Sequence, residues 1–261
     1  MTSRTMSGTR VLVTGGSSGL GAALVAAYRA RGARVLVTDL GEPASDATGD
    51  YLTLDVRSDA DWQRAVAWVD EHWGGLDILV NNAGVASGGR IDVVPMEEWE
   101  WVLDINLLGV VRGCRAFTPV FKGQGSGQIV NVASLAGLAH GPGMATYSAA
   151  KAGVVALSES LRYELAPYGI STSVVCPFFF RTNLAASLRG SDPSATELAA
   201  RMITGAREDA TAIAERVVAG VEAGRPLILT DRDGRVVFWG KRLARALYDR
   251  QMLARGASMA R

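Results

Sequence analysis

Tyr147 and Lys151 are spaced to share one face of a helix, and Ser134 lies thirteen residues before the tyrosine. Residues four apart on a helix are neighbours, so the spacing predicts an ammonium group beside a phenol. A nearby cation favours the phenolate and lowers the pKa of a tyrosine toward the range of an acid/base catalyst. The chain has only three lysines against twenty-four arginines, and lysine supplies a compact charge that arginine cannot. A chance pairing on an ordinary helix is the alternative for these residues taken alone.

A glycine-rich segment near the start of the chain is suited to bind a diphosphate. The apolar run 10–14 predicts a strand, and residues 20–31 have helical periodicity. Between them the glycines permit a tight turn whose N–H groups can approach a diphosphate at a helix N-terminus, where negative charge is favoured. The candidate contacts in this segment are Gly15, Ser17, Ser18, Gly19, Leu20 and Gly21. A glycine-rich turn without a ligand is the alternative, because such turns are common.

Several motifs together resemble those of the short-chain dehydrogenase/reductase family. The resemblance extends over about residues 8 to 230, and the matching residues are Thr14, Gly15, Gly19, Gly21, Asn81, Asn82, Ala83, Gly84, Asn106, Ser134, Tyr147 and Lys151. It implies an oxidoreductase, an alcohol dehydrogenase or ketoreductase. Such an enzyme transfers a hydride between a secondary alcohol or its ketone and a nicotinamide dinucleotide.

The resemblance also implies a role for each residue of the catalytic group. Tyr147 is expected to act as general acid/base, Ser134 to hold the substrate oxygen, and Lys151 to lower the pKa of Tyr147 and hold the nicotinamide ribose. Asn106 is expected to order a water that leads protons away from Lys151, and an asparagine that satisfies a buried helix bend is compatible with that role. Thr182 is expected to hold the nicotinamide amide.

The pattern of the whole chain predicts one α/β domain. Apolar strand-like runs alternate with helical periodicity, which is typical of βαβ units. The predicted strands cover residues 10–14, 34–39, 51–54, 76–80, 128–132, 171–176 and 227–230. The predicted helices cover residues 20–31, 58–73, 96–121, 145–167 and 211–224. We therefore expect a doubly wound Rossmann domain whose seven-stranded parallel sheet is flanked by helices, with ligands at the carboxyl ends of the strands.

Length, composition and charge exclude several other classes of protein. With 261 residues, of which 48% are hydrophobic, the chain can bury one large core. A net charge of +1 gives no field that would attract nucleic acid. No apolar run is long enough to span a membrane, and residues 1–8 are too short and polar for a signal peptide. Cys114 and Cys176 lack the spacing of metal ligands, so we expect reduced buried thiols, no metal site and a cytoplasmic enzyme.

Asp39 is predicted to select the cofactor. It ends the second predicted strand, where a carboxylate accepts hydrogen bonds from the adenosine ribose and repels a 2′-phosphate. In the family that the chain resembles, basic residues that favour NADP occupy two positions, and Ser18 and Leu40 stand at them here. We therefore expect NAD as the cofactor, with a turn-forming aspartate as the alternative interpretation.

The resemblance implies further cofactor contacts after the third and fourth strands. Asp55 is expected to accept a hydrogen bond from the adenine amine, and Val56 to contact the adenine through its backbone. Asn82, Ala83 and Gly84 are expected to pack under the adenosine side of the cofactor. A structural turn at the end of the strand is partly compatible with that placement.

The segment after the sixth predicted strand departs from the family pattern. Phe178 occupies the place of a common glycine and is followed by Phe179, Phe180 and Arg181. A phenylalanine does not readily adopt a positive φ, so we expect the loop to take another path. The three aromatic rings predict an apolar pocket for a hydrophobic secondary alcohol or ketone that is cyclic, terpenoid or steroid-like. Ordinary core packing of the rings, and an acidic substrate bound by an inward Arg181, are the alternatives.

The C-terminal part of the chain differs from the rest in its charge and in the spacing of its apolar residues. Residues 1–230 are expected to form the catalytic domain, with a substrate lid at about 183–207, whereas residues 231–261 carry eight basic and three acidic residues, a net charge of +5. Trp239, Leu243 and Leu247 recur there at helical spacing, which predicts a basic amphipathic helix. Three placements stay open for this extension: on an anionic membrane surface, over the active site, or, as we favour, against a neighbouring subunit.

Small residues on the helix that carries the candidate base predict self-association. Ala149, Gly153, Ala156 and Ser160 permit close approach of another helix, and the family that the chain resembles commonly pairs this helix and residues 96–121 across a two-fold axis. We expect a homodimer or homotetramer that acts on a small-molecule alcohol or ketone. Two other functions use the same fold: dehydration or epimerisation without net redox change, and dinucleotide sensing without catalysis.

Overall fold

Seven parallel strands form one sheet at the centre of the protein. The computed structural model describes residues 6–43, 48–181 and 190–259. Within these residues the strands are β1 (Arg10–Thr14), β2 (Arg34–Asp39), β3 (Tyr51–Thr53), β4 (Ile78–Asn81), β5 (Gly127–Val132), β6 (Ile170–Val175) and β7 (Leu227–Ile228). Their order in the sheet is β3-β2-β1-β4-β5-β6-β7, so it reverses between β1 and β4. The predicted doubly wound Rossmann fold with a seven-stranded parallel sheet is confirmed.

Helices connect the strands and cover both faces of the sheet. In the described part of the chain they are α1 (Gly19–Ala30), α2 (Asp59–Trp73), α3 (Met96–Leu103), α4 (Gly109–Gln124), α5 (Ala145–Leu165), α6 (Pro193–Thr204), α7 (Ala210–Glu222), α8 (Arg232–Leu243) and α9 (Arg245–Met259). None of these described helices combines the length and the apolar character of a transmembrane span.

The core lies on both faces of the sheet because each strand buries alternate side chains on opposite sides. Leu12 and Leu36 belong to the cluster that includes α2, α4 and α5, whereas Val13 and Val37 belong to the cluster with α1 and α7. This double burial explains the near-continuous apolar runs of the predicted strands. Cys114 and Cys176 are free and buried, as predicted.

The predicted helix 96–121 is interrupted at its centre. α3 ends at Leu103, Asp104–Leu108 form one π-helical turn, and α4 continues from Gly109. Such a turn is a known feature of functional sites, because one additional residue changes which side chains point inward. Here it contains Asn106, whose side chain is fully buried.

The C-terminal extension forms two helices, so the prediction of one amphipathic helix is wrong. α8 ends at Leu243 and α9 begins at Arg245, because Ala244 leaves the helical conformation with φ −130° and ψ 51°. Trp239 therefore lies on α8 and Leu247 on α9. The apolar stripe read from the sequence does not run along one axis. A single non-helical residue leaves no mark on the hydrophobic period, which is why the sequence did not predict the break.

The predicted lid and the predicted subunit face are described in part. Residues 182–189 lie outside the described residues, and α6 forms the later portion of the lid. On α5, Ala149, Ala156 and Ser160 are exposed. A Cβ at Gly153 would lie 3.0 Å from the Leu107 side chain. The exposed small residues leave room for another helix, and the homodimer or homotetramer stays a prediction.

Gly113 and Gly123 on α4 form a matched pair that tests the packing beneath the site. A Cβ at Gly113 would lie 2.7 Å from Trp62 Cη2 and would collide with Asn81 Oδ1, whereas one at Gly123 would meet nothing within 4 Å. We expect Gly113→Ala to lower the free energy of unfolding by about 1–3 kcal/mol, because overpacking displaces neighbours. Gly123→Ala should raise it by up to about 1 kcal/mol through helix propensity. Urea unfolding measures both, and equal stability of the two variants would contradict this packing.

Candidate active site

A cavity of about 1260 Å³ lies at the carboxyl ends of the central strands. The predicted site residues that line it are Gly15, Ser18, Gly19, Leu20, Gly21, Asp39, Asp55, Val56, Asn82, Ala83, Gly84, Ser134, Tyr147 and Lys151. Ser17 and Asn106 are not among the lining residues. Thr182 lies outside the described residues, so its predicted contact with the nicotinamide stays a prediction. The structure thus brings most of the predicted residues to one concave site.

The turn after β1 brings two backbone segments into direct contact. Gly15 has a φ of 63°, and a Cβ there would lie 2.9 Å from Ala83 Cα. A Cβ at Gly21 would collide with the carbonyl oxygen of Gly15. Only glycine readily adopts the positive φ at position 15, and only glycine leaves room for the close backbone contacts at positions 15 and 21. The absence of these side chains leaves a backbone-lined cradle at the N-terminus of α1, which fits the diphosphate of a dinucleotide.

Helix α1 begins without a side-chain cap. Ser18 is its N-cap residue, but the hydroxyl accepts no hydrogen bond from the first turn. By contrast, α2, α6, α7 and α8 each begin with a serine or an aspartate whose side chain accepts such a bond. The first N–H groups of α1 are therefore available to a ligand, and the helix dipole favours an anion at this position.

Hydrogen bonds of Thr14 and Asn82 join the turn after β1 to the turn after β4. Thr14 Oγ1 accepts hydrogen bonds from the backbone N–H groups of Asn82 and Ala83, both at 3.0 Å. Asn82 Nδ2 donates to the carbonyl oxygens of Thr14 at 2.9 Å and Gly15 at 3.3 Å. Asn82 therefore lines the cavity and also holds the glycine turn in place. The sequence predicted that Asn82 contacts the cofactor but did not predict its hydrogen bonds to the glycine turn.

Asp39 lines the cavity and is held there by two backbone groups. Its carboxylate accepts hydrogen bonds from the N–H of Ser17 at 3.0 Å and of Leu40 at 2.8 Å. Ser17, which was predicted to contact the cofactor, is thus placed to orient Asp39 through its backbone. Leu40 is exposed and uncharged, so it offers no positive group to a 2′-phosphate.

Arg57 is a residue of the site that sequence reasoning missed. Its guanidinium donates to both carboxylate oxygens of Asp55 at distances from 2.7 to 3.1 Å, and both residues line the cavity. The side-chain hydrogen bonds from Arg57 lower the pKa of Asp55. Asp55 therefore lines the cavity as a paired carboxylate, and its contact with the adenine stays a prediction. An arginine two residues after an acid at a strand end was the signal that could have revealed the pair.

Ser134, Tyr147 and Lys151 meet at the inner end of the cavity. Ser134 follows β5, and α5 carries the other two residues one turn apart. Lys151 Nζ donates to the carbonyl oxygen of Val132 at 3.0 Å and lies 5.8 Å from the centre of the Tyr147 ring. Ser134 Oγ accepts a hydrogen bond from the N–H of Ala136 at 3.1 Å. The Ser134 side chain also forms a hydrogen bond with Tyr147, so the two hydroxyl groups are direct neighbours.

Burial shifts the pKa values of Tyr147 and Lys151 in the directions that favour the neutral form of each side chain. Burial raises the pKa of Tyr147, and a hydrogen bond with the Ser134 side chain opposes that rise. Burial also lowers the pKa of Lys151 to about 8. The predicted lowering of the Tyr147 pKa by Lys151 is not found in the ligand-free chain, because burial is the largest cause of the shift and Lys151 is not among its causes.

Asn106 supports the site from behind and does not line it. Its Oδ1 accepts a hydrogen bond from the N–H of Val85 at 2.8 Å, and its Nδ2 donates to the carbonyl oxygen of Val85 at 2.9 Å. A Cβ at Gly84 would lie 2.9 Å from Asn106 Oδ1 and 3.4 Å from Lys151 Nζ, so the three residues are close neighbours. The side chain thus holds the loop after β4. The predicted role of Asn106 in ordering a water stays a prediction.

The three consecutive phenylalanines line the cavity, in agreement with the predicted apolar pocket. No described residue other than glycine has a positive φ, so Phe178 avoids the conformation of the glycine it replaces. Its N–H donates to Asp231 Oδ2 at 3.2 Å, which ties the loop to the start of α8. The rings of Phe178 and Phe179 pack edge to face with their centres 4.9 Å apart. Phe178 is thus held against α8 without a positive φ, and a loop path different from that of the family stays a prediction.

Arg181 points away from the cavity. Its guanidinium donates to the carbonyl oxygens of Ala206 at 2.7 Å and Arg207 at 2.8 Å, and it lies 3.9 Å from Asp209. Arg181 is not among the lining residues. The alternative of an acidic substrate bound by Arg181 therefore finds no support.

The two C-terminal helices form a roof over the cavity. Lys241 Nζ donates to the carbonyl oxygen of Leu138 at 2.6 Å, and the Tyr248 hydroxyl donates to that of His140 at 3.3 Å. The roof residues that line the cavity are Val236, Val237, Gly240, Ala244, Leu247, Tyr248, Gln251, Met252, Arg255, Ser258 and Met259. Of the three placements that the sequence left open, the structure shows the one over the active site.

Helix α6 closes another side of the cavity and is clamped at its N-terminus. Asp192 is fully buried and accepts hydrogen bonds from Arg90 Nε at 2.8 Å and from the Ser194 hydroxyl at 2.7 Å. Ser191 donates to Glu98 at 2.8 Å. Met202 and other residues of α6 line the cavity. The lid helix is therefore fixed by ion pairing to the segment between β4 and α3.

Comparison with known proteins assigns the family. The family model for short chain dehydrogenases matches residues 9–192. The chain is 38% identical over 178 residues to a 3-alpha-(or 20-beta)-hydroxysteroid dehydrogenase of Mycobacterium tuberculosis, which covers 66% of this chain and 68% of that protein. The chain therefore belongs to the short-chain dehydrogenase/reductase family of oxidoreductases, whose members bind a nicotinamide dinucleotide.

Two solved structures agree with the fold but differ in their ligand. A short chain dehydrogenase/reductase from Burkholderia phymatum in complex with NAD has a TM-score of 0.86 at 28% identity, over 94% of this chain and 96% of that chain. A short chain dehydrogenase from Burkholderia cenocepacia in complex with NADP has a TM-score of 0.82 at 25% identity, over 96% of this chain and 99% of that chain. The comparisons therefore leave the choice between the two cofactors to the residues of the site.

The variant Lys151→Met tests how far burial of the Lys151 amine lowers the free energy of unfolding. The native state holds Lys151 at a pKa of about 8, against an ordinary value of 10.5. Between these two pKa values the unfolded state binds more protons at this amine than the native state. The contribution of Lys151 to the free energy of unfolding therefore rises from about pH 8 to pH 10.5. Below about pH 8 this contribution does not change with pH. At pH 7 we expect Lys151→Met to be more stable than the wild type by about 1–3 kcal/mol, with the difference shrinking toward pH 10.5.

Urea unfolding of the ligand-free protein at pH 7 and pH 10 measures this difference. Lys122→Met serves as the control, because Lys122 is exposed on α4, so its substitution removes a lysine without relieving the burial of an amine. A Lys151→Met protein that is less stable than the wild type at pH 7 would contradict the strained state of the buried amine.

Proposed function

We propose that the protein is an NAD-dependent dehydrogenase that transfers a hydride between a hydrophobic secondary alcohol, or its ketone, and NAD. The observation that carries the proposal is a single cavity that holds Ser134, Tyr147 and Lys151 at one end and the glycine cradle with Asp39 at the other. This arrangement suits hydride transfer, because substrate and cofactor must meet in a site from which water is excluded.

Tyr147 is proposed as the general base of alcohol oxidation. Bound NAD supplies the ring carbon that takes up the hydride from the carbinol carbon. Ser134 donates a hydrogen bond to the substrate oxygen, and Tyr147 as a phenolate accepts the hydroxyl proton. The O–H electron pair then forms the carbonyl bond while the C–H pair departs with the hydride. In the reverse direction Tyr147 returns the proton to the ketone oxygen.

Lys151 is proposed to make the phenolate accessible. With a pKa of about 8, Lys151 is mostly protonated at neutral pH and places a cation beside the Tyr147 ring. Burial, with a smaller contribution from Cys176, holds the pKa of Tyr147 above its ordinary value. The pKa of Tyr147 is expected to fall when the positive charge of oxidised NAD enters the same low-dielectric site. The base is therefore activated only in the complex.

The proposed substrate is apolar because of the side chains around the reacting groups. Phe178 and Phe179 line the cavity together with Met202 of α6 and Val237 and Met252 of the roof. Burial of hydrocarbon against such walls contributes about 25 cal/mol per Å². The mycobacterial relative is named for action on hydroxysteroids, which supports a cyclic, terpenoid or steroid-like alcohol here.

The domain organisation, the assembly and the location of the enzyme are also proposals. Residues 1–230 are proposed as the catalytic domain and residues 231–261 as an extension that completes its roof. The exposed small residues Ala149, Ala156 and Ser160 support assembly into a homodimer or homotetramer. A cytoplasmic location agrees with the two free thiols.

Tyr147→Phe tests the proposed base. The variant lacks only the phenol oxygen, so we expect kcat to fall at least about hundredfold while the affinity for NAD changes little. Tyr163→Phe is the matched control on the same helix, because the Tyr163 side chain is 71% exposed. Reduced-nicotinamide absorbance measures turnover, and calorimetry measures NAD binding. A Tyr147→Phe enzyme with a tenth of the wild-type rate would rule out Tyr147 as the essential base.

Asp39 and Leu40 test the choice of cofactor. We expect the wild type to prefer NAD over NADP at least tenfold in kcat/KM, equivalent to about 1.4 kcal/mol, because the Asp39 carboxylate repels a 2′-phosphate. Asp39→Ala combined with Leu40→Arg should move the preference toward NADP. Glu42→Ala, on the same exposed loop, should leave it unchanged. Equal wild-type efficiency with both cofactors would show that Asp39 does not face the ribose.

A further inference from the structure

One face of α9 carries polar side chains into an otherwise apolar part of the cavity. Tyr248, Gln251, Arg255 and Ser258 recur at intervals of three and four residues, and all four line the cavity. Residues at these intervals share one face of a helix. Their neighbours in the lining on α9 are apolar, namely Leu247, Met252 and Met259. The roof therefore presents a narrow polar strip above the substrate space.

Two members of this strip have no partner. The Tyr248 hydroxyl donates to the carbonyl oxygen of His140, and the Ser258 hydroxyl donates to that of Arg255. Within residues 6–43, 48–181 and 190–259, no hydrogen bond or ion pair engages the side chain of Gln251 or Arg255. These two residues are four apart, so their donor groups project side by side.

The positive charge of Arg255 has no counter-ion in the cavity. The acidic residue nearest to it along α9, Asp249, pairs with Arg245 at 2.8 Å and does not line the cavity. The carboxylates that do line it are Asp39 and Asp55, which lie at the adenosine end. The substrate end of the described lining therefore contains a free guanidinium and no carboxylate.

Contacts of α9 place the strip close to the reacting groups. α9 lies along the segment that joins Ser134 to Tyr147, since a Cβ at Gly256 would lie 3.9 Å from Pro142 Cβ. Met259 contacts Gly143 in the same segment. Arg255 directly precedes Gly256 and lines the same cavity as Tyr147.

We propose that Gln251 and Arg255 bind an anionic group at the end of the substrate remote from the carbinol carbon. The inference rests on the proposed function for its chemistry, and it narrows the substrate class to apolar secondary alcohols with a terminal carboxylate or similar anion. A guanidinium donates two parallel hydrogen bonds to a carboxylate, and the Gln251 amide can donate a third. The apolar walls hold the hydrocarbon between the two ends.

A pair of matched substrates tests the proposal. One is a medium-chain fatty acid with a hydroxyl group on the carbon next to its terminal methyl, and the other is the primary amide of the same acid. We expect wild-type kcat/KM to be at least tenfold higher for the acid, with most of the difference in KM. Added salt should reduce the preference, because Gln251 and Arg255 are both exposed to solvent.

Variants of the strip assign the preference to its residues. Arg255→Gln should lower kcat/KM for the acid to the level of the amide and leave the amide unchanged, whereas Arg255→Lys should retain part of the preference. Gln251→Leu should give a smaller loss for the acid alone. Arg250→Gln is the control, because Arg250 is exposed on α9 but does not line the cavity. A loss of the same size for acid and amide in Arg255→Gln would indicate a structural role and overturn the proposal.

A binding measurement separates this inference from the proposed function. The saturated fatty acid and its amide, neither of which can be oxidised, are titrated calorimetrically into the NAD-loaded enzyme. Tighter binding of the acid that Arg255→Gln removes supports the anion site even when no alcohol is turned over, in which case only the proposed function fails. Equal binding of acid and amide by the wild type overturns the anion site, whatever the activity toward neutral alcohols.

Discussion

Direct backbone contact between the turn after β1 and the turn after β4 determines where the cofactor end of the site lies. Gly15 rests against Ala83, and Gly21 rests against the carbonyl group of Gly15, with no space for a side chain at either glycine. Thr14 and Asn82 hold this contact with four hydrogen bonds. The contact falls where the strand order reverses, so the cradle opens at the crevice between the two halves of the sheet.

The inner end of the site depends on removal from water. Burial disfavours the charged form of Lys151 and of Tyr147, which destabilises the fold locally and brings the lysine pKa close to the working range. The Val132 carbonyl group and the loop held by Asn106 keep the amine in place. Groups held in this way are poised for proton transfer, because a small change in nearby charge alters their ionisation.

The substrate side of the cavity is assembled from segments that lie far apart in the chain. Asp231 binds the Phe178 loop to the start of α8, and the Arg90–Asp192 pair fixes the lid helix. α9 contacts the segment between Ser134 and Tyr147 at Pro142 and Gly143, and Arg255 of α9 lines the cavity. The catalytic floor thus comes from the sheet and α5, whereas the walls that select a substrate come from the lid and the roof.

The sequence by itself determined the parallel α/β fold, the glycine cradle and the Ser134, Tyr147 and Lys151 group. These features depend on local requirements: strand and helix periods, backbone space that only glycine leaves, and a helical spacing of four. The tertiary structure alone decided the direction of the Tyr147 pKa shift, the pairing of Asp55 with Arg57 and the placement of α8 and α9 as a roof. Each of these depends on burial or on contacts that spacing does not encode. Local spacing therefore identifies the chemistry, whereas tertiary packing sets its pKa values and shapes the space that a substrate enters.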